Sequence, residues 1–145
     1  MYANSRSATG STRLPSCPAR NGSRLILSVD DERTILYTRE VILQREGYDV
    51  LSAPDGEQAL RLFSAHEIDL VLLDFVMPGL DGGVVARRMK LHNPQVPLIM
   101  VSANHVPEGA LACTDAFVHK GDGPLLLLQQ IQRLLASPQA LRRCA

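Results

Sequence analysis

The chain is short of lysine. Thirteen of its fifteen basic residues are arginine, and only Lys90 and Lys120 are lysine. It has no surplus of either charge: Lys+Arg 15 and Asp+Glu 15 leave a formal net charge of +0, so the overall balance makes no case for a nucleic-acid or membrane-surface partner. No apolar run approaches the roughly 18 residues of a membrane span. There is no GxGxxG and no GxxxxGK[ST] stretch, which removes the usual nucleotide-binding loops. The cysteines, Cys17, Cys113 and Cys144, are odd in number and lack metal or redox spacing, so they read as reduced thiols. His66, His92, His105 and His119 are scattered without ligand spacing.

What is present suits one folded domain. The length of 145 residues suffices for a core without covalent staples. Residues 1–23 show no hydrophobic period and are rich in Ser, Thr, Gly, Pro and Arg. They cannot bury enough apolar surface to offset the entropy of ordering, so a disordered basic tail is expected. An organellar transit peptide is the lesser alternative. Residues 24–136 are expected to form the domain, and 137–145 a C-terminal tail.

Within the domain, short apolar runs alternate with helical patterns. The runs are Leu25–Val29, Tyr48–Ser52, Leu70–Leu73, Pro97–Val101 and Ala116–Val118. Helices are predicted over 32–46, with Ile35, Leu36, Ile42 and Leu43 on one face, from Asp55 onward with Gln58 at the reciprocal capping position, over 84–91 and over 124–136. A poor helix is predicted near 107–113, begun by Pro107 and weakened by Gly109. Runs that are apolar throughout suit strands covered on both faces. Strands alternating with helices imply right-handed crossovers and a parallel sheet. The fold class is therefore α/β, doubly wound, with ligands expected beyond the carboxyl ends of the strands.

Those ends carry chemistry. Asp30 and Asp31 follow the first run, Asp74 the third, Ser102 the fourth and Lys120 the fifth. A single acid after a strand is often only a helix cap, and Asp31 is placed to cap the helix at 32. Four strand ends with complementary groups are harder to read that way. Three adjacent carboxylates repel and push their pKa values up, and a divalent cation relieves that. Oxygen-only ligands favour Mg2+. In a chain that habitually uses arginine, a lysine at a strand end points to a compact point charge. Mg2+ with a lysine is what a transferring phosphoryl group needs, and Asp74, ending the most apolar run, is the candidate nucleophile.

VDDE at 29–32, LLDFVMPGLDG at 72–82, SA at 102–103 and FVHK at 117–120 resemble the receiver domain of two-component response regulators, of the stand-alone, chemotaxis-regulator-like kind, over roughly residues 24–136. The resemblance implies a five-stranded, flavodoxin-like sheet of order 2-1-3-4-5 with helices on both faces. It implies that Asp74 accepts a phosphoryl group from a histidine kinase or a histidine phosphotransfer protein. Asp31, Asp74 and the backbone carbonyl of Val76 would hold Mg2+ directly, and Asp30 partly through water. Lys120 would pair with a phosphoryl oxygen. Ser102 would swing towards the phosphoryl group with Phe117 turning inward, a charge-driven switch that alters a distant surface. Pro78 and Gly82 would shape the loop after Asp74.

The chain departs from the family pattern in four places. Gly121 follows Lys120 where proline across a cis bond is usual, and a cis bond to a non-proline residue costs about 3–4 kcal/mol. A trans bond, a displaced Lys120 and slower phosphorylation are therefore expected. The segment from Ser102 to Lys120 is about one turn short, so the fourth helix should be stunted. Val76 is apolar where a polar group is common, which predicts a long-lived acyl phosphate. LLLL at 125–128 spans some 300° of helix, so at least one leucine should be exposed as a docking or homodimer surface.

The expected function is a cytoplasmic phosphoacceptor with no output domain, catalysing only its own phosphorylation and slow dephosphorylation, and acting on an unknown downstream protein. Neither a membrane nor a nucleic-acid partner is expected. The alternative is a phosphorylation-independent interaction module. A haloacid-dehalogenase-type phosphatase would want an acid at the position of Val76.

Overall fold

The computed structural model describes residues 23–137. The tail expectations over 1–23 and 137–145, with Cys17 and Cys144, lie outside the described residues except at their inner ends. At the first of these, the Ser23 hydroxyl donates to Asp49 Oδ2 at 2.9 Å.

The elements run β1 Leu25–Val29, α1 Arg33–Arg45, β2 Asp49–Ala53, α2 Gly56–Ala65, β3 Leu70–Asp74, α3 Gly82–His92, β4 Leu98–Ser102, α4 Glu108–Leu111, β5 Ala116–His119 and α5 Pro124–Leu135. One 3-10 turn, Lys120–Asp122, joins β5 to α5. The strands form one sheet in the order β2-β1-β3-β4-β5, parallel at every pairing. The fold is the flavodoxin-like one that the sequence implies.

Burial explains the order. Every residue of β1, β3 and β4 is buried, whereas β2 and β5 are partly exposed. Uniformly apolar runs take the centre and mixed ones the edges. Alternate side chains then feed two cores. Leu27, Val29, Val71, Leu73 and Met100 pack against α2 and α3, with α4 at the margin. Ile26, Leu70, Leu72, Ile99 and Val101 pack against α1 and α5.

Side-chain caps fix two helix starts: Asp55 accepts from the Gln58 N–H at 2.8 Å, and Asp81 from the Val84 N–H at 3.0 Å. Asp31 caps nothing; the N-cap of α1 is Glu32, without a side-chain bond. Helix α4 is a four-residue remnant after Pro107. In α5, Leu125 is 69% exposed, while Leu126, Leu127 and Leu128 lean on the core. The exposed-leucine expectation is met by one residue.

The register places the strand ends level. Val29 pairs with Leu73, Asp74 with Val101, and Ser102 with His119. Residues just past Val29 and His119 therefore meet Asp74 and Ser102 along one rim.

Candidate functional site

That rim gathers three carboxylates. Asp30, Asp31 and Asp74 each offer an oxygen, and these atoms all lie within 4.8 Å of one another. Asp30 is 0% and Asp74 3% exposed, while Asp31 faces solvent. Each buried acid is held by backbone as well: Asp30 Oδ1 accepts from the Glu32 N–H at 3.0 Å, and Asp74 Oδ1 from the Val76 N–H at 3.3 Å.

Lys120 closes the site. Its Nζ lies 2.9 Å from Asp30 Oδ2 and 3.2 Å from Asp74 Oδ2. No peptide bond among the described residues is cis, so the expected trans Lys120–Gly121 bond is present, and Lys120 reaches both acids across it. A side-chain turn positions the lysine. His119 Nδ1 accepts from the Gly121 N–H at 3.0 Å, and Asp122 Oδ2 accepts from the His119 N–H at 3.2 Å. Gly121 suits the close approach, since a Cβ there would sit 3.2 Å from His119 Nδ1. The other lysine, Lys90, is a tie bar, donating to Val96 O at 2.7 Å and Asp115 Oδ2 at 2.8 Å.

A cavity of about 210 Å³ opens over the acids, lined by Asp31, Asp74, Val76, Ser102 and Lys120 among others. Ser102 is fully buried, and its Oγ accepts from the Asn104 N–H at 3.2 Å. Val76 is 53% exposed. Phe117, on edge strand β5, is 40% exposed and so lies on the outside of the sheet. Gly82 brings α3 against the loop: its N–H donates to Phe75 O at 2.8 Å.

Burial, then the neighbouring Asp30 charge, push the Asp74 carboxyl above its ordinary value, with Lys120 and the Val76 N–H pulling the other way. Burial pulls the Lys120 ammonium down, but bonding to Asp30 and the charges of Asp30 and Asp74 outweigh it, and its pKa is raised. The site is an acidic nest with one partly exposed lysine, and its oxygen-only donors fit a hard divalent ion such as Mg2+.

One residue of the site escaped the sequence reading. Arg39, 7% exposed, lies behind Asp30 with Nη2 3.2 Å from Asp30 Oδ2 and Nη1 3.4 Å from Ser28 Oγ. Burial lowers its pKa, with Asp30 and Asp74 opposing; an arginine so placed stays charged. The signal was there: Leu36, Arg39 and Leu43 form the buried side of α1, so helical spacing itself turns the arginine inward.

Residues 26–121 match the family described as the response regulator receiver domain. The chain is 38% identical over 81 residues to the alkaline phosphatase synthesis transcriptional regulatory protein PhoP of Bacillus subtilis, covering 56% of this chain and 34% of that one. It is similar to the response regulator TrrA of Thermotoga maritima, whose structure was solved in complex with Mg2+ and BeF. There the TM-score is 0.74 at 32% identity, covering 77% of this chain and 99% of that one. It is equally similar to TrrA in complex with the histidine kinase ThkA, with TM-score 0.73, 32% identity and coverage of 78% and 99%. The chain spans between about a third and a half of the length of the curated relatives it matches first. The chain belongs to the response regulator receiver domain family and acts in two-component signalling.

Proposed function

We propose that this receiver takes a phosphoryl group onto Asp74 from a phosphohistidine of a sensor histidine kinase or phosphotransfer protein, and thereby switches a protein-binding surface. The observation that carries the reading is Lys120 Nζ seated between Asp74 and Asp30, at 3.2 and 2.9 Å, beside an open cavity. A relative that binds Mg2+ and BeF, and the same relative bound to a histidine kinase, support it.

An Asp74 oxygen attacks the phosphorus, the P–N bond breaks, and its electron pair stays on the imidazole, which takes up a proton. Mg2+, held by Asp31, Asp74 and the Val76 carbonyl with Asp30 acting through water, would neutralise charge on the phosphoryl oxygens. Lys120 has a flexible stem and side-chain exposure of 21%, so it turns from the carboxylates to a phosphoryl oxygen. Ser102 gives up its bond from the Asn104 N–H and donates to the phosphoryl group. Phe117 moves inward in its wake, and the β5 edge changes shape. The protein catalyses only its own phosphorylation and slow dephosphorylation, in the cytoplasm.

Beside Lys120, an apolar crevice of about 340 Å³ runs between α1 and α5, with Ile35, Ile42, Leu127 and Leu128 in its walls. This crevice and exposed Leu125 are where a protein partner, or a second copy through α5, would bear. The test is intact mass after acetyl phosphate and Mg2+. Wild type gains one phosphoryl group and Asp74→Ala gains none. A wild type that gains none is instead the phosphorylation-independent interaction module, a reading that the four-residue α4 favours.

A further inference from the structure

We propose that Arg39 is a resident counter-ion of the acidic site: it weakens Mg2+ binding, keeps the cation-free site folded, and frees Lys120 to leave for the phosphoryl group. The inference rests on the Mg2+ site proposed above.

The sheet-facing side of α1 is otherwise apolar, formed by Leu36 and Leu43 around Arg39. A charge buried there is costly unless paired. The pairing is complete at one end: Arg39 reaches Asp30 Oδ2 and Ser28 Oγ. Ser28 is itself the one polar residue in β1, and it is 0% exposed. Two interior positions thus serve a single carboxylate.

Asp30 then has no idle side. Oδ1 is taken by the Glu32 N–H, and Oδ2 is shared by Lys120 at 2.9 Å and Arg39 at 3.2 Å. The two cations differ in freedom. Lys120 is partly exposed and can turn away, whereas Arg39, at 8% side-chain exposure, is shut between helix and sheet. When Lys120 leaves, Asp30 keeps a partner and its position. A divalent cation approaching Asp30, Asp31 and Asp74 meets that fixed positive charge across a poorly screened interior.

Titration calorimetry of Mg2+ into the full chain, with thermal unfolding at several Mg2+ concentrations, tests this on wild type, Arg39→Met and Arg39→Gln. Both variants are expected to bind Mg2+ about fivefold more tightly or better, the scale of a charge–charge coupling at short range in a partly screened site. Without Mg2+ both melt below wild type, and saturating Mg2+ closes most of that gap. A variant that folds only with Mg2+ gives the same result in stronger form. Unchanged or weaker affinity, a melting deficit that Mg2+ does not narrow, or failure of both variants to fold at any Mg2+ concentration overturns the proposal and leaves Arg39 as a packing element. If wild type itself binds no Mg2+, the metal reading falls and takes this inference with it. If wild type binds and the variants match it, this inference alone falls.

Discussion

Replacing Lys120 by methionine keeps the stem and removes the cation that bridges Asp30 and Asp74. The acids are 0% and 4% exposed at their side chains and the lysine 21%. Removing one partner of a fully buried pair costs about 3–5 kcal/mol, and an exposed pair is worth about 0–1 kcal/mol. This site lies between those limits, because water reaches the ammonium and Arg39 still holds Asp30. A loss of about 2 kcal/mol at neutral pH follows, or roughly 8 °C in Tm for a domain of this size. The pH dependence has a definite sign. The Lys120 pKa is raised on folding, so its contribution is fully present below the unfolded value of about 10.4 and is lost as pH rises through the folded one. On the acid side the Asp74 pKa is raised too, so Asp74 is protonated early as pH falls and the variant's penalty shrinks. Thermal melts without Mg2+ from acid to alkaline pH read this directly. A penalty as large at pH 4 as at pH 7, or below about 0.5 kcal/mol at neutral pH, refutes the electrostatic reasoning.

Four further outcomes follow from the same geometry. Asp74→Asn should raise the melting point of the Mg2+-free protein at pH 7, since the raised Asp74 pKa means its ionised form opposes folding above that value. The gain should vanish below the unfolded carboxyl pKa of about 3.9, and melts at the two pH values check it. Gly82→Ala would put a Cβ 2.5 Å from the Asp74 carbonyl oxygen and 2.7 Å from Phe75 Cα, so denaturant unfolding should show a loss of about 1–3 kcal/mol. Gly109→Ala, with nothing within 4 Å, should instead be neutral or stabilising by a few tenths. Val76→Asn should hasten loss of the phosphoryl group from Asp74, because the exposed position can then orient a water; equal decay in phosphate-release assays contradicts this.

The fold was legible because the central strands are buried on both faces, so Leu25–Val29, Leu70–Leu73 and Leu98–Val101 are apolar without alternation. The edge strand β2 was less so: the run was read as Tyr48–Ser52, and the strand is Asp49–Ala53, because pairing with β1 and not hydropathy sets its ends. The convergence of Asp30, Asp31, Asp74, Ser102 and Lys120 was also legible, since parallel strands of four or five residues deliver their carboxyl ends to one rim. Two features were not. Arg39 breaks an apolar stripe, and a reading that tracks hydrophobic residues passes over a cation whose burial depends on Asp30 and Ser28, nine and eleven positions away, in contacts that only the fold creates. The seat of Lys120 depends on the His119 ring accepting from the Gly121 N–H, a local cap that stands where proline was expected.

The most direct measurement is chemical location of the phosphoryl group. Borohydride reduces an acyl phosphate to the alcohol, so an aspartyl phosphate becomes homoserine. After incubation with acetyl phosphate and Mg2+, reduction and peptide mapping should find homoserine at Asp74 and at neither Asp30 nor Asp31. Conversion at another acid, or none in protein that has bound Mg2+, contradicts the account.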